Sequence, residues 1–94
     1  MADEKRVIIK IVGGVQGVTF RYFLKKKARK LGLNGFVKNQ LDGSVLVVAE
    51  GDMERIKKLI IFCRRGPVFA RVEKVYITWK GAIGEFNDFV IHYS

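Results

Sequence analysis

Apolar positions in the first ordered run, Arg-Val-Ile-Ile-Lys-Ile-Val from Arg6 to Val12, fall into register at period two. Val7, Ile9 and Ile11 share one face, and β-branched side chains dominate, so the run predicts a strand. Ile8 and Val12 make the second face apolar too, which predicts a central strand rather than an edge. The period then changes. Phe20, Leu24, Ala28 and Leu31 recur at helical spacing, widened by Phe23, against a face of Lys25, Lys26, Lys27, Arg29 and Lys30. Thr19 is placed to cap this helix and Gly32 to end it.

Period two returns in Gly35–Asn39 and again in Ser44–Glu50, where Val45, Val47 and Ala49 alternate with Leu46 and Val48. Asp42-Gly43 between them signals a hairpin turn. Gly51-Asp52 closes the second strand, and Asp52 is placed to cap a second helix. Met53, Ile56, Leu59, Ile60 and Cys63 form its apolar face, and Gly66-Pro67 stops it. Ala70–Trp79 predicts a further strand, with Val75, Ile77 and Trp79 on one face. Gly81–Gly84 reads as a loop, and Phe86–Tyr93 as a closing strand with Phe89, Ile91 and Tyr93 alternating. Strand, helix, strand, strand, helix, strand is the pattern of an α+β, ferredoxin-like βαββαβ sandwich. Both helices then cover one face of a largely antiparallel sheet of spatial order 4-1-3-2. The pattern assigns no partner to the fifth strand.

Size and charge narrow the partners. At 94 residues and 49% hydrophobic content, one compact domain over residues 1–94 with a full core is expected. No apolar run reaches the roughly 20 residues of a membrane helix. The charged start, Met1 to Arg6, is unlike a signal peptide. One cysteine, Cys63, allows no internal disulfide and suits a reducing, cytoplasmic setting. Eighteen Lys and Arg against nine Asp and Glu give +9, which favours anionic partners without choosing among metabolites, nucleic acid and membrane surfaces.

The common catalytic patterns are missing. His92 is the single histidine, so no histidine cluster can hold a metal, and Cys63 lies on an apolar helix stripe. No metal or cofactor is expected. What stands out is Gly13-Gly14-Val15-Gln16-Gly17-Val18-Thr19-Phe20-Arg21, a glycine-rich turn that leaves a strand and opens a helix. Converging N–H groups and the helix N-terminus favour a phosphate there, and Arg21 sits where its guanidinium can fold back over it. In the expected topology Asn39 ends a strand on the same sheet edge. Taken alone, however, Arg21 is equally a solvated helix residue, Asn39 a turn residue and the glycines a tight turn. The same topology serves RNA-binding modules, but Ser44–Glu50 carries none of the aromatics they need.

The nine residues from Gly13 to Arg21 resemble the first signature of the acylphosphatase family. Gly35-Phe36-Val37-Lys38-Asn39, with Gly43, Val45 and Gly51, resembles its second, and Gly66-Pro67 and the aromatic end are similar too. The resemblance spans almost the whole chain. It implies hydrolysis of the carboxyl–phosphate bond of acyl phosphates; a cytoplasmic monomer that needs no metal and is inhibited by its product, inorganic phosphate, is expected. It implies that Arg21 and Asn39 are catalytic and that the backbone of Val15, Gln16, Gly17, Val18 and Thr19 cradles the phosphate. The chain departs from the family pattern at Gln40, at Leu41-Asp42-Gly43 and at Val68, which bears on the positioning of Asn39 and the hairpin geometry. It also leaves open a non-catalytic role, since such domains occur within larger carbamoyl-transferring proteins.

Overall fold

The computed structural model describes residues 3–16, 18–67 and 69–93. Gly17 and Val68 therefore lie outside the described residues. The elements are β1 (Glu4–Gly14), α1 (Val18–Lys30), β2 (Asn34–Asn39), β3 (Val45–Asp52), α2 (Met53–Arg65), β4 (Arg71–Gly81) and β5 (Phe89–His92). The sheet order is β4-β1-β3-β2-β5. β1 pairs antiparallel with β3 and β4, so it is central as its two apolar faces predict. β2 is antiparallel to β3, and β5 adds to β2 in parallel.

One face of the sheet makes the core. Val7, Ile9, Ile11, Val37, Val47, Ala49 and Phe89 are fully buried. Against them lie Phe20, Leu24 and Ala28 of α1 and Ile56, Leu59, Ile60 and Cys63 of α2. The helix ends follow from local chemistry. In α2 the Asp52 side chain accepts from the Arg55 N–H. In α1, Leu33 N–H donates to the Ala28 carbonyl and Gly32 N–H to the Arg29 carbonyl, with Gly32 at φ +72°. That pairing closes a helix through a left-handed residue, which glycine adopts without a Cβ penalty.

Two expectations change. α1 begins at Val18, so Thr19 belongs to the first turn and is not the cap. The closing strand is confined to Phe89–His92. Phe86 instead sits in the connection from β4 to β5, which crosses the sheet face opposite the helices. Its ring meets Phe36 edge to face with centroids 5.9 Å apart, and the Arg6 guanidinium lies 5.0 Å from its centroid. The Glu50 carboxylate accepts the N–H groups of Ile83 and Gly84, both at 2.9 Å. These tertiary contacts outweigh the local alternation. Glu50 also pairs with Arg6, which reaches Glu85 as well.

Candidate active site

The apolar face of β1 leads directly into the glycine-rich turn. Past Val12 the register against β4 slips, leaving Gly13 opposite Val72. Gly13 has φ +140°, and a Cβ there would stand 2.1 Å from the Arg71 carbonyl oxygen. This glycine thus serves a bulge where two backbones close up. Val15 then turns inward and is buried in the core, rooting the loop. Gln16 and Thr19 are exposed. Val18 opens α1, whose first N–H groups have no carbonyl a turn earlier to accept them. No backbone partner for the N–H groups of Val15, Gln16, Val18 or Thr19 appears among the described residues.

The Gln16 side chain reaches sideways to the hairpin between β2 and β3. Its Nε2 donates to the Gln40 carbonyl at 2.7 Å and to the Ser44 carbonyl at 3.1 Å. The hairpin is closed by its own bonds, Gln40 N–H to the Ser44 carbonyl and Gly43 N–H to the Gln40 carbonyl. The Asp42 carboxylate accepts from the Ser44 hydroxyl and N–H and pairs with Lys10 at 2.9 Å. The Ser44 hydroxyl first, then Lys10, hold the Asp42 carboxyl well below the usual carboxylate range.

Arg21 lies one residue into the buried stripe of α1 and is only 7% exposed. Its Cζ stands 5.0 Å from the centre of the Tyr93 ring, and its Nε is buried without a hydrogen-bond partner among the described residues. Asn39 ends β2 and shares the helix-side face with Val37 by strand alternation. Its Oδ1 is likewise buried and without a partner among the described residues. Val45 of β3 is paired on one side with Ile11 and on the other with Asn39, so the end of β2 lies level with the end of β1. Tyr93 follows His92, which is paired with Lys38, and so falls beside Asn39. The loop, Arg21 and Asn39 thus occupy one edge of the sheet.

Tyr93 and the Gln16 side chain were not marked out in the sequence. Tyr93 continues the core-side alternation of Phe89 and Ile91, but only the partner of β5 places it over Arg21. Cys63 stays out of the chemistry: burial pushes its thiol up to about 12, so it is protonated at neutral pH. His92 stacks on Phe36 with centroids 4.4 Å apart, on the face away from the helices.

Comparison with known proteins gives the family. The acylphosphatase family model matches residues 7–91. An acylphosphatase of Caldanaerobacter subterraneus subsp. tengcongensis is 47% identical over 95% of this chain and 99% of its own length. That of Methylococcus capsulatus is 45% identical over 93% and 95%. The crystal structure of acylphosphatase from Bacillus subtilis superposes with a TM-score of 0.90 at 34% identity, over 95% of this chain and 99% of that one. The chain belongs to the acylphosphatase family, and its activity is that class of hydrolysis, cleavage of the carboxyl–phosphate bond of acyl phosphates. The alternative of an RNA-binding module is not favoured. No helix among the described residues is long and apolar enough to cross a membrane.

Proposed function

We propose that hydrolysis takes place at the edge shared by the Val15–Thr19 loop, Arg21 and Asn39, within a single catalytic domain over residues 1–94. The observation that carries this is the pair of orphaned polar atoms, Arg21 Nε and Asn39 Oδ1, which are the buried side-chain N or O atoms lacking partners among the described residues. Leaving such a group unpaired costs about 1–3 kcal/mol, and a bound ligand recovers it.

In this reading the loop N–H groups hold the phosphate oxygens. Arg21 binds two of them with its planar fork and neutralises the charge that grows in the transition state. Asn39 Oδ1 accepts a hydrogen bond from water and aims its oxygen at phosphorus. The new P–O bond forms as the bond from phosphorus to the acyl oxygen breaks, and the carboxylate departs with that electron pair. A carboxylate is a good leaving group and needs no acid. The water's spare proton passes to the phosphate being released. Positioning and charge stabilisation supply the acceleration, as phosphoryl transfer generally requires. The substrate is a small acyl phosphate, and the product, inorganic phosphate, competes for the cradle. We take the working unit to be a monomer. The single buried cysteine suits a cytoplasmic setting.

The test follows consumption of benzoyl phosphate or acetyl phosphate in the presence of chelator. Removing one preorganised donor costs about 10²–10³ in rate. Arg21→Ala and Asn39→Ala are expected to lose at least that with an unchanged circular dichroism spectrum. Arg21→Lys is expected to fail too, because an ammonium lacks the planar fork. Near-normal turnover by folded Arg21→Ala would sink the assignment.

A further inference from the structure

We infer that the Gln16 side chain is a positioning residue that sets the distance between the phosphate cradle and Asn39. The inference rests on the site reading above. Gln16 belongs to the cradle through its backbone, yet its amide turns away from the site and spends both N–H bonds on the hairpin, at the Gln40 and Ser44 carbonyls. Gln40 is the residue directly after Asn39, and Ser44 directly precedes Val45, the residue paired with Asn39 across the ladder. One amide therefore straddles the two strand ends that frame Asn39. Backbone pairing joins β1 to β2 only through β3, and the ladder stops at Ile11 with Val45 and Asn39 with Val45. Beyond that level the Lys10–Asp42 pair ties the hairpin to the body of β1, and the Gln16 amide is the described bond that ties it to the loop itself.

The energetics separate this role from a stabilising one. Each carbonyl already accepts a backbone N–H, the Gln40 carbonyl from Gly43 and the Ser44 carbonyl from Gln40. Losing the amide orphans neither of them. The Gln16 side chain is also exposed rather than packed in the core. Stability thus changes little when the amide goes, whereas catalysis does, because a shift on the order of 1 Å between reacting groups costs up to about 10²-fold.

Gln16→Met keeps the length of the side chain and removes both donors. It is expected to lower kcat for benzoyl phosphate by about 10- to 100-fold while the inhibition constant of inorganic phosphate stays within about twofold. The thermal midpoint should stay near that of the wild type. Because Gln16 acts through Asn39, adding Gln16→Met to Asn39→Ala should lower kcat by less than about twofold further, the non-additivity of residues that act as a unit. An unchanged kcat in Gln16→Met overturns the inference. So does a phosphate inhibition constant that weakens in step with kcat, which would make the side chain part of the cradle, or full additivity with Asn39→Ala. If Asn39→Ala alone turns over normally, the site reading itself has failed, and that result is distinct from any outcome with Gln16.

Discussion

At the scale of single residues, neighbouring positions of one glycine-rich turn do unrelated work. Gly13 packs strands, Val15 packs core, Gln16 braces the hairpin, and Arg21 reaches the shared edge. The case for Gly13 can be separated from the case for a cradle. An alanine there meets the Arg71 carbonyl oxygen and adopts a φ that L residues rarely take. The strain and clash are expected to cost about 3 kcal/mol. In a domain of this size that lowers the thermal midpoint by more than about 10 °C. At a temperature where Gly13→Ala is folded, kcat should stay within a few-fold of the wild type. A variant that unfolds no earlier, yet turns over a hundredfold more slowly, would reassign this glycine to the cradle. That Arg21 and Asn39 meet at one edge was legible from order, because Arg21 enters a helix behind a glycine turn and Asn39 ends a parallel strand; the catalytic role proposed for them came from the resemblance and not from residue type. The lateral amide of Gln16 was not, since a bond to two carbonyls some 24 to 28 positions away leaves no periodic trace.

At the scale of elements, the least predictable piece is the connection from β4 to β5. It must cross the sheet from one edge strand to the other, and Glu50 determines where. Burial alone would push this carboxyl up. The Ile83 and Gly84 N–H groups and the Arg6 guanidinium together outweigh it and hold the carboxyl below its ordinary value. A carboxyl lowered in this way contributes stability that is complete above its unfolded value, about 4.3. That contribution is lost as pH falls through the folded value. Glu50→Gln cannot accept from all three donors and is expected to cost about 2 kcal/mol at pH 7. The gap between wild type and variant should narrow below about pH 4. Thermal melts from pH 7 to pH 3 measure it, and a gap constant across that range would refute the role given to the charge. The first four strands were legible in order because period two and period 3.6 alternate cleanly. β5 was not, because its parallel pairing with β2 depends on remote contacts. Gly35 N–H donates to the Asp88 carbonyl, and Arg29 reaches both the Asp88 carboxylate and the Phe89 carbonyl. No local pattern encodes those partners.

At the scale of the whole molecule, charge is the feature that neither fold nor site absorbs. The net charge is +9. Acidic side chains are largely engaged, Glu50 and Glu85 with Arg6, Asp42 with Lys10 and Asp88 with Arg29. Lys25, Lys26, Lys27 and Lys30 form no ion pair among the described residues, and they lie on α1, the helix whose first turn borders the proposed phosphate site. If the substrate binds there, a dianionic acyl phosphate approaches through a positive potential, which raises its local concentration and its rate of encounter. Exposed charges are screened over about 10 Å at 0.1 M salt and about 3 Å at 1 M. Raising sodium chloride from 20 mM to 500 mM is expected to lower kcat/KM for acetyl phosphate several-fold. kcat should change by less than about twofold, because Arg21 is buried and the contact proposed for it with a bound phosphate would be poorly screened. Reversing two of the helix charges, Lys26→Glu with Lys30→Glu, should flatten that salt dependence and leave kcat in place. A kcat/KM indifferent to salt in the wild type would mean that the surplus charge does not act on the substrate. A kcat that falls in step with it would move the effect from approach to the chemical step.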